Sequence, residues 1–407
     1  MDELAHIVTG HTVPPHIFLS GIDALLPGIR ARSAEAEQLG RIPDDIVRDL
    51  TDAHVFRAVQ PRQWGGLELD PATFFEGMVR IASACGSTGW VASVVGIHPW
   101  QVALFDEAAQ RDVWANNPDS RISSSLAPTG KVERASGGFH LSGHWRFSSG
   151  VDHCEWALLG GHVPPAGDGT PEYRTFLVPV SDCAIDHVSW NVTGLAGTGS
   201  KDLVIAGAFV PEHRTHSILD VYHHRDPGFA VNNRPLFRLP WHLMFCYAIA
   251  SPAIGAATGA LNAFIENNRM RISSFGGPQV ALNPGLQRRL AEALTVVDAA
   301  RTRVTKTWLE FLALVEAGQE IPYERRAQCK YEGAHALASC ARAVFEVLEM
   351  NGGRTMHADT PFQRYFRDLL AMRNHPAAGL EAAATLYAGA KLRVDPPPFT
   401  PSQRSVL

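Results

Sequence analysis

The sequence predicts an α+β protein in three consecutive zones: helical, then β, then helical. Three observations carry this. Apolar residues recur at helical spacing on either side of a middle stretch, about 118–215, that is rich in β-branched and aromatic residues and broken by turn signals. The two textures are segregated along the chain, so a parallel sheet of alternating strands and helices is not expected. Leu286, Leu290, Leu294, Val297, Val304, Trp308, Phe311 and Val315 repeat by threes and fours. A stripe that long needs neighbouring helices to cover it. The expected domains are a helical one over 1–116, a β-barrel over 117–215 and a four-helix bundle over 216–407.

In the first zone, from residue 17 to about 116, Ile22, Leu25, Leu26 and Ile29 fall on one helical face. Pro43-Asp44-Asp45 reads as a helix start, because acidic groups favour the positive end of the helix dipole. Trp64-Gly65-Gly66 marks a turn, and Pro71 opens a helix carrying Phe74, Phe75 and Met78. In the middle zone Gly137-Gly138, Gly160-Gly161 and Pro164-Pro165 are turn signals. Residues 139–147, 156–163, 173–180 and 203–210 read as strands between them. After a Pro/Arg/His-rich connection at about 211–240 the chain turns helical again, with the long amphipathic helix, a helix at 334–350 and another at 362–390.

Composition narrows the function. The 407 residues are 45% apolar and 19% charged, ordinary for a globular protein, and the formal net charge is −5 without a Lys/Arg-rich run. That argues against binding nucleic acid or a membrane surface. No apolar run reads as membrane-spanning, and the start, with Asp2, Glu3 and several histidines, lacks the pattern of a secretory leader. The six cysteines are scattered, with no C-x-x-C pair, which fits a reducing cytoplasm. No G-x-G-x-x-G, Walker A loop, H-E-x-x-H or G-x-S-x-G occurs, and the adjacent His223-His224 reads as a solvated loop.

Four segments remain as candidates for chemistry: 85–100, 121–128, 145–150 and a C-terminal segment with Gly352-Gly353-Arg354 and His375. Small hydroxyls beside aromatic walls suit a flat ring that is apolar on its faces and polar at its edges. Such hydroxyls at strand ends are equally at home satisfying local backbone. His98, between Ile97 and Pro99, could equally be a core histidine.

The run Phe362-Gln363-Arg364-Tyr365-Phe366-Arg367-Asp368 resembles the last-helix signature of the acyl-CoA dehydrogenase fold. Where many dehydrogenases of that fold carry a catalytic Glu, this chain has Pro376, preceded by His375. Together with Gln60-Pro61, Trp64-Gly65-Gly66, 85–91, 122–125 and Gly197-Thr198-Gly199-Ser200, the pattern resembles the oxygenase components of two-component flavin-dependent monooxygenases. The resemblance runs from Leu25 to about Leu392 and is strongest to the steroid-degrading branch, with p-hydroxyphenylacetate and polyketide hydroxylases further off.

The resemblance implies roles. His98, Ser124, Ser149 and His375 would be catalytic. Trp90, Ser125, Ser148, Thr198, Ser200, Arg238, Arg271, Gly353 and Arg354 would bind the flavin, the last three near its phosphate or from a neighbouring subunit. Reduced FMN or FAD would arrive from a separate reductase and react with O2 to a C4a-hydroperoxide, which hydroxylates a small phenolic or polycyclic aromatic. His98 would act as base with Ser124, Ser149 would steady flavin N5, and His375 would guide oxygen activation or donate a proton. A homotetramer is implied. The segment 219–239 and the Pro-rich tail from Val394 depart from the steroid branch, which leaves the substrate open. Three alternatives remain: an acyl-CoA dehydrogenase or oxidase, a dearomatising or dehydrating flavoenzyme, and a non-catalytic scaffold.

Overall fold

The computed structural model describes residues 13–394 except 166, 168 and 274–276; the acidic N-terminal residues and the tail beyond Val394 lie outside it. Six helices come first: α1 (Pro15–Ala31), α2 (Ser33–Leu39), α3 (Asp44–Asp52), α4 (Pro71–Ala84), α5 (Gly86–Val102) and α6 (Glu107–Trp114). Their starts follow local chemistry. Pro15 and Pro71 occupy first-turn positions where a missing N–H is harmless. Asp70 caps α4 by accepting from Thr73 N at 2.9 Å. Pro43 precedes the two acidic residues that open α3.

Seven strands follow: β1 (Ile122–Ala135), β2 (Gly138–Ser148), β3 (Trp156–Val163), β4 (Glu172–Pro179), β5 (Ala184–Asp186), β6 (Lys201–Pro211) and β7 (Thr215–Ser217). They form one mixed sheet in the order β5-β6-β2-β1-β3-β4-β7, in which only β1 and β3 run parallel. The sheet curls over its own core, bringing Phe139 of β2 to 5.6 Å from Phe176 of β4. Edge strands β5 and β7 are not paired with each other, so the expected barrel is an open one. Gly160-Gly161, expected at a turn, lies inside β3 instead. A Cβ on Gly160 would stand 2.1 Å from Leu126 O, so the glycine marks a close backbone crossing.

The final helices are α7 (Ile218–Tyr222), α8 (Trp241–Asn268), α9 (Pro284–Glu316), α10 (Tyr323–Leu348), α11 (Phe362–Arg373) and α12 (Leu380–Leu392). The single helix expected over 362–390 is therefore two. His375 and Pro376 interrupt it, because proline offers no N–H and clashes with the preceding turn. Helix α8 is long and apolar enough to span a bilayer, with a window of mean hydropathy 1.4, yet 89% of that window is buried inside the protein. It is the axis around which α4, α5, α9, α10 and α11 pack. A Cβ on Gly255 would stand 2.3 Å from Val79 O, so α8 meets α4 almost backbone to backbone.

Phe75, Tyr247 and Trp308 join α4, α8 and α9 with ring centroids 5.4–6.0 Å apart. Phe75→Ala should lower unfolding free energy by about 3–5 kcal/mol, read as a fall in the urea midpoint. Val188→Ala, at an 87% exposed position, should stay within about 0.5 kcal/mol of the parent. Equal midpoints for the two variants would show that the triad is not the core.

Candidate active site

Trp90 sits one turn into α5, 5% exposed, and its ring meets that of His375 edge-on at 5.5 Å between centroids. Its indole N–H donates to Ser149 Oγ at 3.2 Å. Ser149 Oγ lies 2.7 Å from Ser200 Oγ, which lies 2.7 Å from Thr198 Oγ1. The Thr198 hydroxyl also donates to Leu195 O at 2.8 Å. Five of the residues singled out in the sequence, Trp90, Ser149, Thr198, Ser200 and His375, thus form one contiguous group at the junction of α5, the end of β2 and the break after α11.

The glycine-rich segment 194–200 that carries Thr198 and Ser200 is tied down from α11. Asp368 accepts from Leu195 N at 2.7 Å, and Arg367 donates to Thr193 O. Arg364 and Arg367 both pair with Glu37 of α2. The Q-R-x-x-R-D run therefore works as a clamp. Asp368 is 2% exposed, and burial pushes its carboxyl up to about 6. Its Oδ2 has no hydrogen-bond partner among the described residues.

The two imidazoles are held in opposite tautomers. His375 caps the turn after α11, its Nδ1 accepting from Ala377 N at 3.1 Å. Its proton is therefore on Nε2. His98 lies on α5 with Nδ1 3.3 Å from Gln101 Oε1; with the Gln101 amide in this orientation Nδ1 donates and Nε2 is the acceptor. Burial pushes both rings down to about 4. Desolvation is the main cause in both: His98 is 1% exposed, with the Gln101 hydrogen bond opposing the shift, and His375 is half-buried. Both rings are neutral at pH 7.

His98 packs against Phe245 of α8 at 5.7 Å and makes no hydrogen bond to the Trp90 group among the described residues. It lies one turn before Val102, which packs with Ile122 of β1. Ser124 shares the face of Ile122 on β1. The Ser124 hydroxyl, half-buried, has no partner among the described residues. Its neighbours point the other way: Ser125 donates to Arg146 O at 2.6 Å, and Ser148 donates to Ser123 Oγ at 3.0 Å. These two hydroxyls are committed within the sheet, and the structure does not bring them to the Trp90 group.

Arg271, Gly353 and Arg354 form a separate, more exposed region. Arg271 donates to Asn351 Oδ1 at 3.0 Å, and loss of hydration together with Arg354 lowers its pKa. Such a patch suits an anion. Arg238 stacks on Phe229 at 3.7 Å and joins neither group. Sequence reasoning missed Phe147, which is 64% exposed and has φ +64° in a bulge of β2. It also missed Gln101 and the ring of Trp190 against Phe147. A phenylalanine inside a strand reads as core, so only its left-handed backbone betrays it.

A flavin fits these residues. Trp90 and His375 offer ring surfaces, and Ser149 keeps one lone pair free at the partly exposed end of a buried hydroxyl chain. No group of His, Cys, Asp and Glu suited to a metal occurs among the described residues.

Residues 247–379 match the family described as Acyl-CoA dehydrogenase, C-terminal domain. Over 368 residues the chain is 41% identical to the flavin-dependent monooxygenase oxygenase subunit HsaA of Rhodococcus jostii (strain RHA1), across 90% of this chain and 96% of that one. It is 32% identical to the oxygenase component of the FADH(2)-dependent resorcinol hydroxylase of Rhizobium sp. (strain MTP-10005), across 97% and 99%. The crystal structure of 3-HSA hydroxylase from Rhodococcus sp. RHA1 superposes with a TM-score of 0.88 at 39% identity, across 94% of this chain and 98% of that one. At that likeness over nearly its whole length, the chain belongs to the oxygenase components of flavin-dependent monooxygenases, built on the acyl-CoA dehydrogenase fold.

Proposed function

We propose that the protein hydroxylates a phenolic or polycyclic aromatic substrate, using O2 and reduced FMN or FAD delivered by a separate reductase. The observation that carries this is His375 against Trp90, with Ser149 at the end of the hydroxyl chain of Thr198 and Ser200; a second buried imidazole, His98, lies against Phe245. His98 offers a lone pair from Nε2 and His375 offers a proton from Nε2. When bound, the reduced flavin supplies the activation of O2.

The chain's own residues do the rest. A free phenol has a pKa near 10, so ring attack needs its proton held or removed. His98 Nε2 is the acceptor for it, with Ser124 on the facing strand. Desolvation alone keeps His98 neutral, but a phenolate against it supplies the opposite charge that favours the protonated ring. Proton transfer is thereby coupled to substrate binding. His375, neutral and uncharged at pH 7, is a hydrogen-bond donor rather than a source of free protons. That suits steadying a developing oxyanion. The dry surroundings of Trp90 and the hydroxyl chain keep water from the reacting atoms.

Pro376 in place of a carboxylate base speaks against the acyl-CoA dehydrogenase alternative. We propose a cytoplasmic location, supported by six free cysteines. We propose a homotetramer, supported by exposed Met270, Ile272 and Met356 around the Arg271 region. Light scattering that returned the monomer mass of 44.3 kDa would remove the tetramer.

With reduced flavin, O2 and a panel of phenols, His98→Ala should lower the hydroxylation rate by about 10²–10⁴-fold at pH 7 while O2 is still consumed as peroxide. His375→Ala should lower product formed per O2. Product yields unchanged in both variants would contradict the assignment of roles. No hydroxylated product from any phenol with the parent protein would remove the aromatic reading.

The acid limb of kcat/KM should lie below pH 5, because both rings titrate near 4 rather than 6.5. The linkage has a matching sign. Folded-state values below the unfolded one give stability that is complete above pH 6.5 and lost as pH falls toward 4. An acid limb near 6.5 that disappears in His98→Ala would contradict the buried neutral imidazole.

A further inference from the structure

We infer that Ser200 and Thr198 are positioning residues that hold Ser149 as a hydrogen-bond acceptor, so that the site prefers reduced over oxidised flavin. The inference rests on the proposed meeting of Ser149 with the flavin's central ring. Reduced flavin carries a proton on N5, whereas oxidised flavin carries a lone pair there.

The direction of the chain follows from counting protons. Leu195 O can only accept, so the hydroxyl proton of Thr198 points to it across 2.8 Å. Thr198 Oγ1 must then accept the Ser200 proton, and Ser200 Oγ must accept the Ser149 proton, each across 2.7 Å. Trp90 N–H is also a donor and takes one Ser149 lone pair. What Ser149 has left for a ligand is the other lone pair. Thr198 is 1% exposed and Ser200 4% exposed, so the interior of the chain has no ready access to bulk water.

The reverse direction is possible only at a loss. If Ser149 turned its proton outward, Ser200 and Thr198 would also have to turn, and the Thr198-to-Leu195 bond would break. That is one neutral hydrogen bond, equivalent to roughly a three- to tenfold preference. The terminal carbonyl is itself fixed, because Leu195 N–H is held by Asp368 and Trp190 donates to the next carbonyl, Ala196 O. Leu195 also sits at φ +55°, a conformation that the surrounding contacts impose.

The test is anaerobic titration of the full-length protein with the same flavin in each redox state, read by flavin fluorescence and absorbance. It yields the ratio of oxidised to reduced dissociation constants. Ser200→Ala frees the Ser149 proton to donate to the N5 lone pair. The ratio should fall about three- to tenfold, mainly through tighter oxidised binding. A tenfold fall corresponds to about 30 mV in the two-electron midpoint of the bound flavin. Thr198→Val, close in volume, should move the ratio the same way. Ser149→Ala, at a partly exposed position that folding tolerates, should lower the ratio by weakening the reduced form only. Adding Ser200→Ala to Ser149→Ala should change nothing further. A ratio unchanged in the folded variants, with flavin still bound, overturns the inference and leaves the proposed function standing. Failure of the parent protein to bind either redox form overturns the proposed function, and this inference falls with it.

Discussion

The structure depends on one buried carboxylate. Asp368 reaches across from α11 to the backbone N–H of Leu195, and that contact fixes the loop from which Thr198 and Ser200 approach Ser149. A carboxyl at 2% exposure is expensive to hold, and its pKa of about 6 records that cost. The neighbouring Arg364 and Arg367 offset part of that cost through their charge, while Glu37, with which both are paired, works against them. Their role is to bind α11 to α2 and so aim Asp368. A helix, a loop and a strand end are thereby locked into one register, and the partly open Ser149 hydroxyl inherits its orientation from all three.

The same economy governs the imidazoles. Each has one ring nitrogen committed to a local partner within three residues in sequence, Ala377 N for His375 and Gln101 Oε1 for His98. The commitment decides which protons are available at the other nitrogen, and desolvation keeps both rings uncharged. A site meant to protect a reactive oxygen species has reason to exclude mobile protons, since a charged imidazolium would deliver them. Neutral donors and acceptors in fixed directions provide polarity without acidity.

Much of this was legible in the sequence, for identifiable reasons. The segregation of textures predicted the order of helices and strands, because the 3.6 and 2.0 periods are local properties. The motif around Arg364, Arg367 and Asp368 marked the C-terminal helix, and Trp90, Ser149, Thr198, Ser200 and His375 do converge. What failed was what depends on tertiary approach. Gly160-Gly161 looked like a turn but lies where two backbones cross. The 362–390 helix looked continuous because its apolar period carries through Pro376, although proline breaks it. Ser125 and Ser148 are indistinguishable from Ser124 and Ser149 by type; the structure shows the first two hydroxyls bonded within the sheet. The axial helix α8 went unread because it is apolar all round and so shows no stripe.

The most direct measurement is the position of reduced flavin in crystals of the full-length protein grown and soaked without oxygen. The account predicts the ring against Trp90 and His375, with N5 within about 3.2 Å of Ser149 Oγ. A ring bound away from Trp90, His375 and Ser149 would contradict it.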